Sequence, residues 1–220
     1  EGYLDDLRAD VVFRTPGMRP DVPALLEAKA RGSIVTSEME IFFEVCPCTI
    51  IGVTGSDGKT TTTSIIAEML RAAGKTVYLG GNIGHPLLCD AEKMQPEDFA
   101  VVELSSFQLL DMKRSPHIAV MMNLAPNHLD VHKDMDEYIA AKENIYLHQH
   151  EGDIAIFNED NDITRSLSKK ASARTRLFSR REEVADGTFL RGDTIVLRHD
   201  GCEEAVMQIS DIRLPGMHNV

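Results

Sequence analysis

Nine residues constrain this chain more than any others: Val53-Thr54-Gly55-Ser56-Asp57-Gly58-Lys59-Thr60-Thr61. The apolar run Thr49–Val53 ahead of Gly55 reads as a buried strand. The stretch from Thr62 to Gly74 reads as a helix with a glycine stop. Strand, glycine loop, lysine and helix together suit a nucleoside triphosphate. Loop N–H groups and the helix N-terminus face the phosphates, and the lysine adds a point charge. The strict pattern G-x-x-x-x-G-K-[ST] fails at its first position, where Val53 stands, and leaves Gly55-x-x-Gly58-Lys59-Thr60. A bare glycine turn with a surface lysine is the plainer reading. Four threonines after Lys59 favour the phosphate reading, because threonine is a weak helix former but offers hydroxyls to phosphate and metal. The predicted nucleotide contacts are Gly55, Ser56, Asp57, Gly58, Lys59, Thr60 and Thr61.

Strands and helices alternate along the chain, which predicts an α/β fold with a mainly parallel sheet flanked by helices. Residues 1–45 supply a βαβα pattern: a strand at Val11–Arg14, a helix from Pro23 to about Arg31, a strand at Ile34–Thr36, and a capped helix from Ser37 to Val45. That is too little for a core of its own, so it reads as the remnant of a first domain. Residues 46–220 read as a central domain. Its expected strands are Thr49–Val53, Thr76–Leu79, Phe99–Leu104, Ile118–Asn123 and Asp153–Phe157, and its expected helices are Lys59–Ala73, Ser106–Met112 and Met135–His148. After Leu177 the pattern changes to a hairpin, 188–191 and 194–198 around Gly192-Asp193, with an antiparallel edge strand near 204–209. Both ends read as cut: Glu1 stands where a methionine would, and the last helices are expected to lie beyond Val220.

A formal net charge of −12 and the lack of a long basic run argue against a nucleic-acid partner. No apolar stretch approaches a membrane span, so no membrane insertion is expected. A cytoplasmic, monomeric protein is the accompanying expectation. The four cysteines, Cys46, Cys48, Cys89 and Cys202, read as unpaired thiols. Cys46-Pro47-Cys48 is C-x-C, with nothing nearby to complete a zinc set.

Ligands of open α/β sheets bind beyond the carboxyl ends of the strands, and those ends here carry polar groups. Gly80-Gly81-Asn82 follows one strand, Glu103-Leu104-Ser105-Ser106-Phe107-Gln108 a second, and Asn123 to Asp130 a third. Glu103, after three apolar residues, is either a cap for the next helix or a magnesium ligand opposite the phosphates, with Thr60 near the same ion. His128 is open to three readings: a structural histidine, a base, or a metal ligand. Lys142, on a periodic helix, would by itself be read as a solvated lysine.

These strings resemble the Mur ligases. Residues 53–61 match the family's ATP loop, and Gly81-Asn82-Ile83-Gly84 the loop that meets a uridine-diphosphate muramoyl substrate. Glu103-Leu104-Ser105-Ser106-Phe107-Gln108-Leu109 matches the D-glutamate-adding branch. Asn123-Leu124-Ala125-Pro126-Asn127-His128-Leu129-Asp130 matches a metal-binding histidine segment, although Asn127 stands where some members carry aspartate. Tyr138-Ile139-Ala140-Ala141-Lys142 matches a segment whose lysine is carbamylated, Gly216-Met217-His218-Asn219 a helix start whose asparagine meets adenine, and Thr15-Pro16-Gly17 a segment near the uridine site. The resemblance implies an ATP- and Mg2+-dependent ligase that adds D-glutamate to UDP-N-acetylmuramoyl-L-alanine through an acyl phosphate, in peptidoglycan precursor synthesis. It implies catalytic roles for Lys59, His128 and Lys142, metal contacts from Thr60, Glu103, His128 and a carbamate on Lys142, adenine contact from Asn219, and substrate contacts from Thr15, Asn82, Ser105 and Gln108. Family members have three domains, so these 220 residues alone are not expected to complete ligation. A P-loop phosphotransferase or NTPase that forms no amide bond, and a non-catalytic nucleotide-binding module, are the alternatives.

Overall fold

From Thr49 onward the chain builds one nine-stranded sheet. The computed structural model describes residues 2, 4, 6–126 and 132–214. Ahead of the large sheet, β1 (Val11–Phe13) and β2 (Ile34–Thr36) pair in parallel as a separate ribbon, joined by α1 (Pro23–Ala30). The buried Arg14 guanidinium closes the Thr15-Pro16-Gly17 turn by donating to the Met18 carbonyl at 2.6 Å. Helix α2 (Glu38–Val45) starts at Ser37, whose hydroxyl accepts from the Glu40 N–H. It buries Met39, Phe42 and Phe43 in the same cluster as Ile50, Leu87 and Ala100 of the large sheet's layer. A fully buried phenylalanine contributes about 1.5–3 kcal/mol, so α2 is held to this sheet by its own apolar face.

The strands are β3 (Thr49–Thr54), β4 (Val77–Gly81), β5 (Phe99–Glu103), β6 (Ile118–Met121), β7 (Ile154–Asn158), β8 (Arg174–Ser179), β9 (Gly187–Arg191), β10 (Thr194–His199) and β11 (Cys202–Gln208). Their spatial order is β11-β10-β9-β8-β7-β6-β3-β5-β4. Pairing is parallel from β4 across to β9, and antiparallel from β9 through β11. Strands β3 and β5 are buried on nearly every residue, which accounts for their continuous apolar sequence. Helix α3 (Lys59–Ala72) lays Ala67 against Ile51 and Val101 on one face. The larger cluster on the other face takes in Leu104, Leu109, Tyr138, Tyr146 and Phe157, and so covers α4 (Ser106–Leu109) and α5 (Met135–Glu143). No helix among the described residues is long and apolar enough to cross a membrane.

Several sequence expectations need correction. The helices expected over Ser106–Met112 and Met135–His148 end at Leu109 and Glu143, and the strand expected to reach Asn123 ends at Met121. Residues 174–179 form a strand continuing the parallel sheet, and helix α6 (Asp162–Ser168) precedes it. The alternating arginines concealed that strand. Arg174 pairs with Asp186 at 2.9 Å and Asp200 at 2.7 Å, so the polar positions are a charged outer face rather than loop. The hairpin begins at Gly187 and turns at Gly192.

Gly187 has φ +138°, and a Cβ there would collide with the Leu177 carbonyl oxygen across the β8–β9 pair. Gly192, at φ +58°, has open space around it. Gly187→Ala is therefore expected to cost about 2 kcal/mol or more in urea unfolding. Gly192→Ala should cost only the left-handed penalty of about 1–2 kcal/mol. Equal losses for the two would contradict this account of the junction.

Candidate active site

Strand β3 ends at Thr54, deep in the sheet, and the chain leaves it through Gly55. A side chain at Gly55 would press on the Met122 Cβ at 2.9 Å, so the loop can lie this close to the end of β6 only with glycine. Asn123 then stitches the loop down. Its carbonyl accepts from the Ser56 N–H at 2.9 Å, its side-chain oxygen from the Asp57 N–H at 2.9 Å, and its amide donates to the Asp57 carbonyl at 3.2 Å. The Ser56 hydroxyl meets the Ala125 N–H and carbonyl and the Tyr138 hydroxyl, each within about 3 Å. Ser56 and Asp57 thus use these groups to hold the loop's shape.

Gly58 takes φ +77° and opens α3, and no side chain caps that helix start. The first-turn N–H groups of an uncapped helix, Lys59, Thr60 and Thr61 here, are a natural seat for an anion. The Lys59 ammonium lies back over the loop and donates to the Gly55 and Ser56 carbonyls, each at 2.9 Å.

Beside the loop, parallel registry sets Glu103 level with Val53 on one side and Gly81 on the other. Its carboxylate is 2% exposed and accepts from the Thr60 hydroxyl at 2.6 Å and the Asn82 amide at 2.9 Å. The Asn82 N–H also donates to the Glu103 carbonyl at 2.8 Å, and Gly81, at φ +98°, leaves no room there for a side chain. Lys142 reaches the same place from α5. It is 2% exposed and donates to the Thr54 hydroxyl at 2.9 Å and the Gly55 carbonyl at 3.1 Å. Burial, then the nearby Lys59 charge, push its pKa down to about 7, against a smaller opposing pull from Glu103.

The structure thus brings Lys59, Thr60, Asn82, Glu103 and Lys142 to one end of the sheet. Lys142 is not the solvated helix lysine that its position alone suggested. Ser105 caps α4 and forms a capping box with Gln108: the Ser105 N–H and hydroxyl both donate to the Gln108 side-chain oxygen at 3.0 Å. Gln108 also lines a cleft of about 980 Å³ that none of the loop residues borders. Thr15 is exposed in its turn of the first ribbon. His128 and Asn219 lie outside the described residues.

Three supporting residues escaped the sequence reading. Asn123 and Tyr138 hold the loop, and the Lys142 ammonium sits 5.1 Å from the Tyr138 ring centre. His132, 2% exposed, stacks on Phe107 at 5.3 Å and meets the Ser106 hydroxyl at 2.8 Å, and burial lowers its pKa. Asn123 and Tyr138 open two of the quoted strings and His132 lies just beyond one, but no spacing pattern marks a bracing role.

Fold and site together define an α/β domain with a glycine loop between its first sheet strand and helix α3, and residues 53–220 match the Mur ligase middle domain. The chain belongs to the Mur ligase family. A UDP-N-acetylmuramoylalanine--D-glutamate ligase from Clostridium novyi is 52% identical over 221 residues, which cover 100% of this chain and 47% of that protein. The chain therefore spans about half the length of the curated relatives it matches. Among solved structures, a UDP-N-acetylmuramoyl-L-alanyl-D-glutamate--2,6-diaminopimelate ligase superposes with TM-score 0.63 at 22% identity, over 89% of this chain and 51% of that one. A UDP-N-acetylmuramate:L-alanyl-gamma-D-glutamyl-meso-diaminopimelate ligase from Neisseria meningitides gives 0.62 at 19% identity, over 98% and 72%. Both are likenesses of fold.

The lowered Lys142 pKa has a stability signature. Between about 7 and the ordinary lysine value of about 10.4, the unfolded chain holds a proton that the folded chain lacks, so folding gains as pH rises through that window. Below about 7 both states are charged and the full burial cost remains. In CO2-free buffer, the unfolding free energy of the native chain relative to Lys142→Met should rise from pH 6 to pH 9 by about 2–3 kcal/mol. A flat difference would mean that Lys142 titrates normally.

Proposed function

We propose that the whole protein is an ATP-dependent ligase that joins D-glutamate to UDP-N-acetylmuramoyl-L-alanine in the cytoplasm, in peptidoglycan precursor synthesis. The observation that carries the reading is the buried Glu103 carboxylate, held between Thr60 of the phosphate loop and Asn82, with Lys142 against the same loop. The sequence likeness to D-glutamate ligases over all of this chain supports the choice of amino acid.

A carboxylate is a poor acyl donor until ATP phosphorylates it. The amine then displaces phosphate through a tetrahedral intermediate. In this reading the start of α3 and Lys59 bind the phosphates and stabilise charge on the group in transfer. Lys59 would leave the Gly55 and Ser56 carbonyls for the nucleotide. Thr60 and Glu103 supply hard oxygen donors that fit Mg2+, which when bound would add charge neutralisation at the phosphates. An ammonium cannot ligate a cation. A lysine titrating near neutrality is partly free amine, which can add CO2 and release a proton to give a carbamate anion, and this suits Lys142 to a ligand role with His128. Asn82 and Ser105 orient the muramoyl substrate, with Gln108 setting the Ser105 cap and Thr15 nearer the uridine. Asn219 meets the adenine.

The test is phosphate release by the intact protein with ATP, Mg2+ and UDP-N-acetylmuramoyl-L-alanine. Release should depend on D-glutamate and not on L-glutamate. It should vanish in Lys59→Ala, and fall in Lys142→Ala with partial recovery on adding short carboxylates. Release independent of any amino acid would indicate an NTPase, and nucleotide binding without turnover a binding module.

A further inference from the structure

At the other end of β3 from the phosphate loop, three sulfurs converge. Cys46 and Cys48 belong to the short link between α2 and β3, and Met94 ends the 3-10 segment Leu87–Lys93 that leads toward β5. Cys46 Sγ lies 3.4 Å from Cys48 Sγ and 3.8 Å from Met94 Sδ, and Cys48 Sγ lies 4.0 Å from Met94 Sδ. Cys48 and Met94 are 2% and 3% exposed, whereas Cys46 is half-buried and gives access from solvent.

We propose that Cys46, Cys48 and Met94 form a binding site for one Cu(I) ion. A triangle with these sides has its centre about 2.2 Å from each sulfur, close to the metal–thiolate bond length of about 2.3 Å known for zinc. The three donors can close on an ion with little movement. Two thiols and a thioether are soft ligands and select Cu(I). Zinc prefers four ligands from cysteine, histidine and carboxylate. No group of three such residues among the described residues is placed to hold a metal. The surroundings agree: Cys48 and Met94 sit in the apolar cluster with Ile50, Leu87 and Ala100, where a monovalent ion neutralised by one thiolate is less costly to bury than a dication. A disulfide would require the sulfurs to close to about 2.05 Å across a single residue, Pro47, whose φ is fixed. Metal binding asks for less rearrangement. Occupancy would tie the α2–β3 link to the connection before β5 and leave the nucleotide end of the sheet open.

The test titrates the 220-residue chain anaerobically with Cu(I) in competition with a chromophoric Cu(I) chelator. It adds X-ray absorption and iodoacetamide labelling. The expected result is one ion per chain, a shell of three sulfurs, protection of Cys46 and Cys48 from alkylation, and continued labelling of the exposed Cys89 and Cys202. Cys46→Ser, at a half-exposed position, should abolish tight binding. Met94→Leu keeps the volume, should leave two sulfurs, and should weaken affinity by at least the roughly ten- to hundredfold typical of lost outer partners. The proposal is overturned if Cys46→Ser binds as the native chain does, if Met94→Leu changes neither shell nor affinity, or if the pair is recovered as a disulfide with copper left in solution.

Discussion

A carboxylate buried at the end of a central strand is tolerable only when it is bonded on every side that water has left, and much of the site is arranged around that need at Glu103. Both oxygens are used, one by Thr60 and one by Asn82. Each donor is delivered by a different feature of the fold. Registry with β3 brings the start of α3 level with Glu103, and registry with β4 brings Gly81 and Asn82. Losing one donor would strand part of a charge in a low-dielectric interior, a cost of several kcal/mol in effective terms. The same constraint explains a backbone detail: Gly81 is glycine because the chain must turn against the carbonyl of the residue whose side chain Asn82 serves.

The two lysines show the opposite imbalance. Lys59 and Lys142 both donate to the Gly55 carbonyl, so two ammonium groups share one neutral acceptor. Nearby, the uncapped start of α3 adds a partial positive charge. The concentration of positive potential favours an anion over the loop, while burial first, and the Lys59 charge second, lower the proton affinity of the more deeply buried lysine.

Much of this was legible in the sequence because glycine, lysine and strand-end polar residues have few other reasons to occur together. The strands from Thr49 to Phe157 were readable from apolar runs, and Glu103 from its position after three such residues. The strand at 174–179 was hidden because its outward positions are arginines neutralised by partners from distant turns. Asn123, Tyr138 and His132 were missed for a related reason. Their work is to brace other residues, and bracing leaves no spacing pattern. Lys142 shows the limit most clearly. Its helix has ordinary periodicity, and only the packing of α5 against Thr54 and Gly55 places its ammonium indoors.

The sheet order also governs how the chain can acquire this structure. Strands β3 and β4 are consecutive in sequence but are not neighbours, since β5 lies between them. Until β5 arrives, the pair must leave a gap of about 10 Å, two strand spacings, with nothing to hold it. The other edge of β3 waits longer, for β6 at Ile118–Met121. During synthesis β3 therefore emerges with both edges open until β5 is made, and keeps one edge open until residue 121 has left the ribosome. Such a strand is prone to pair with a neighbouring nascent chain. The loop after β3, fastened to Asn123, takes its shape only after that wait ends.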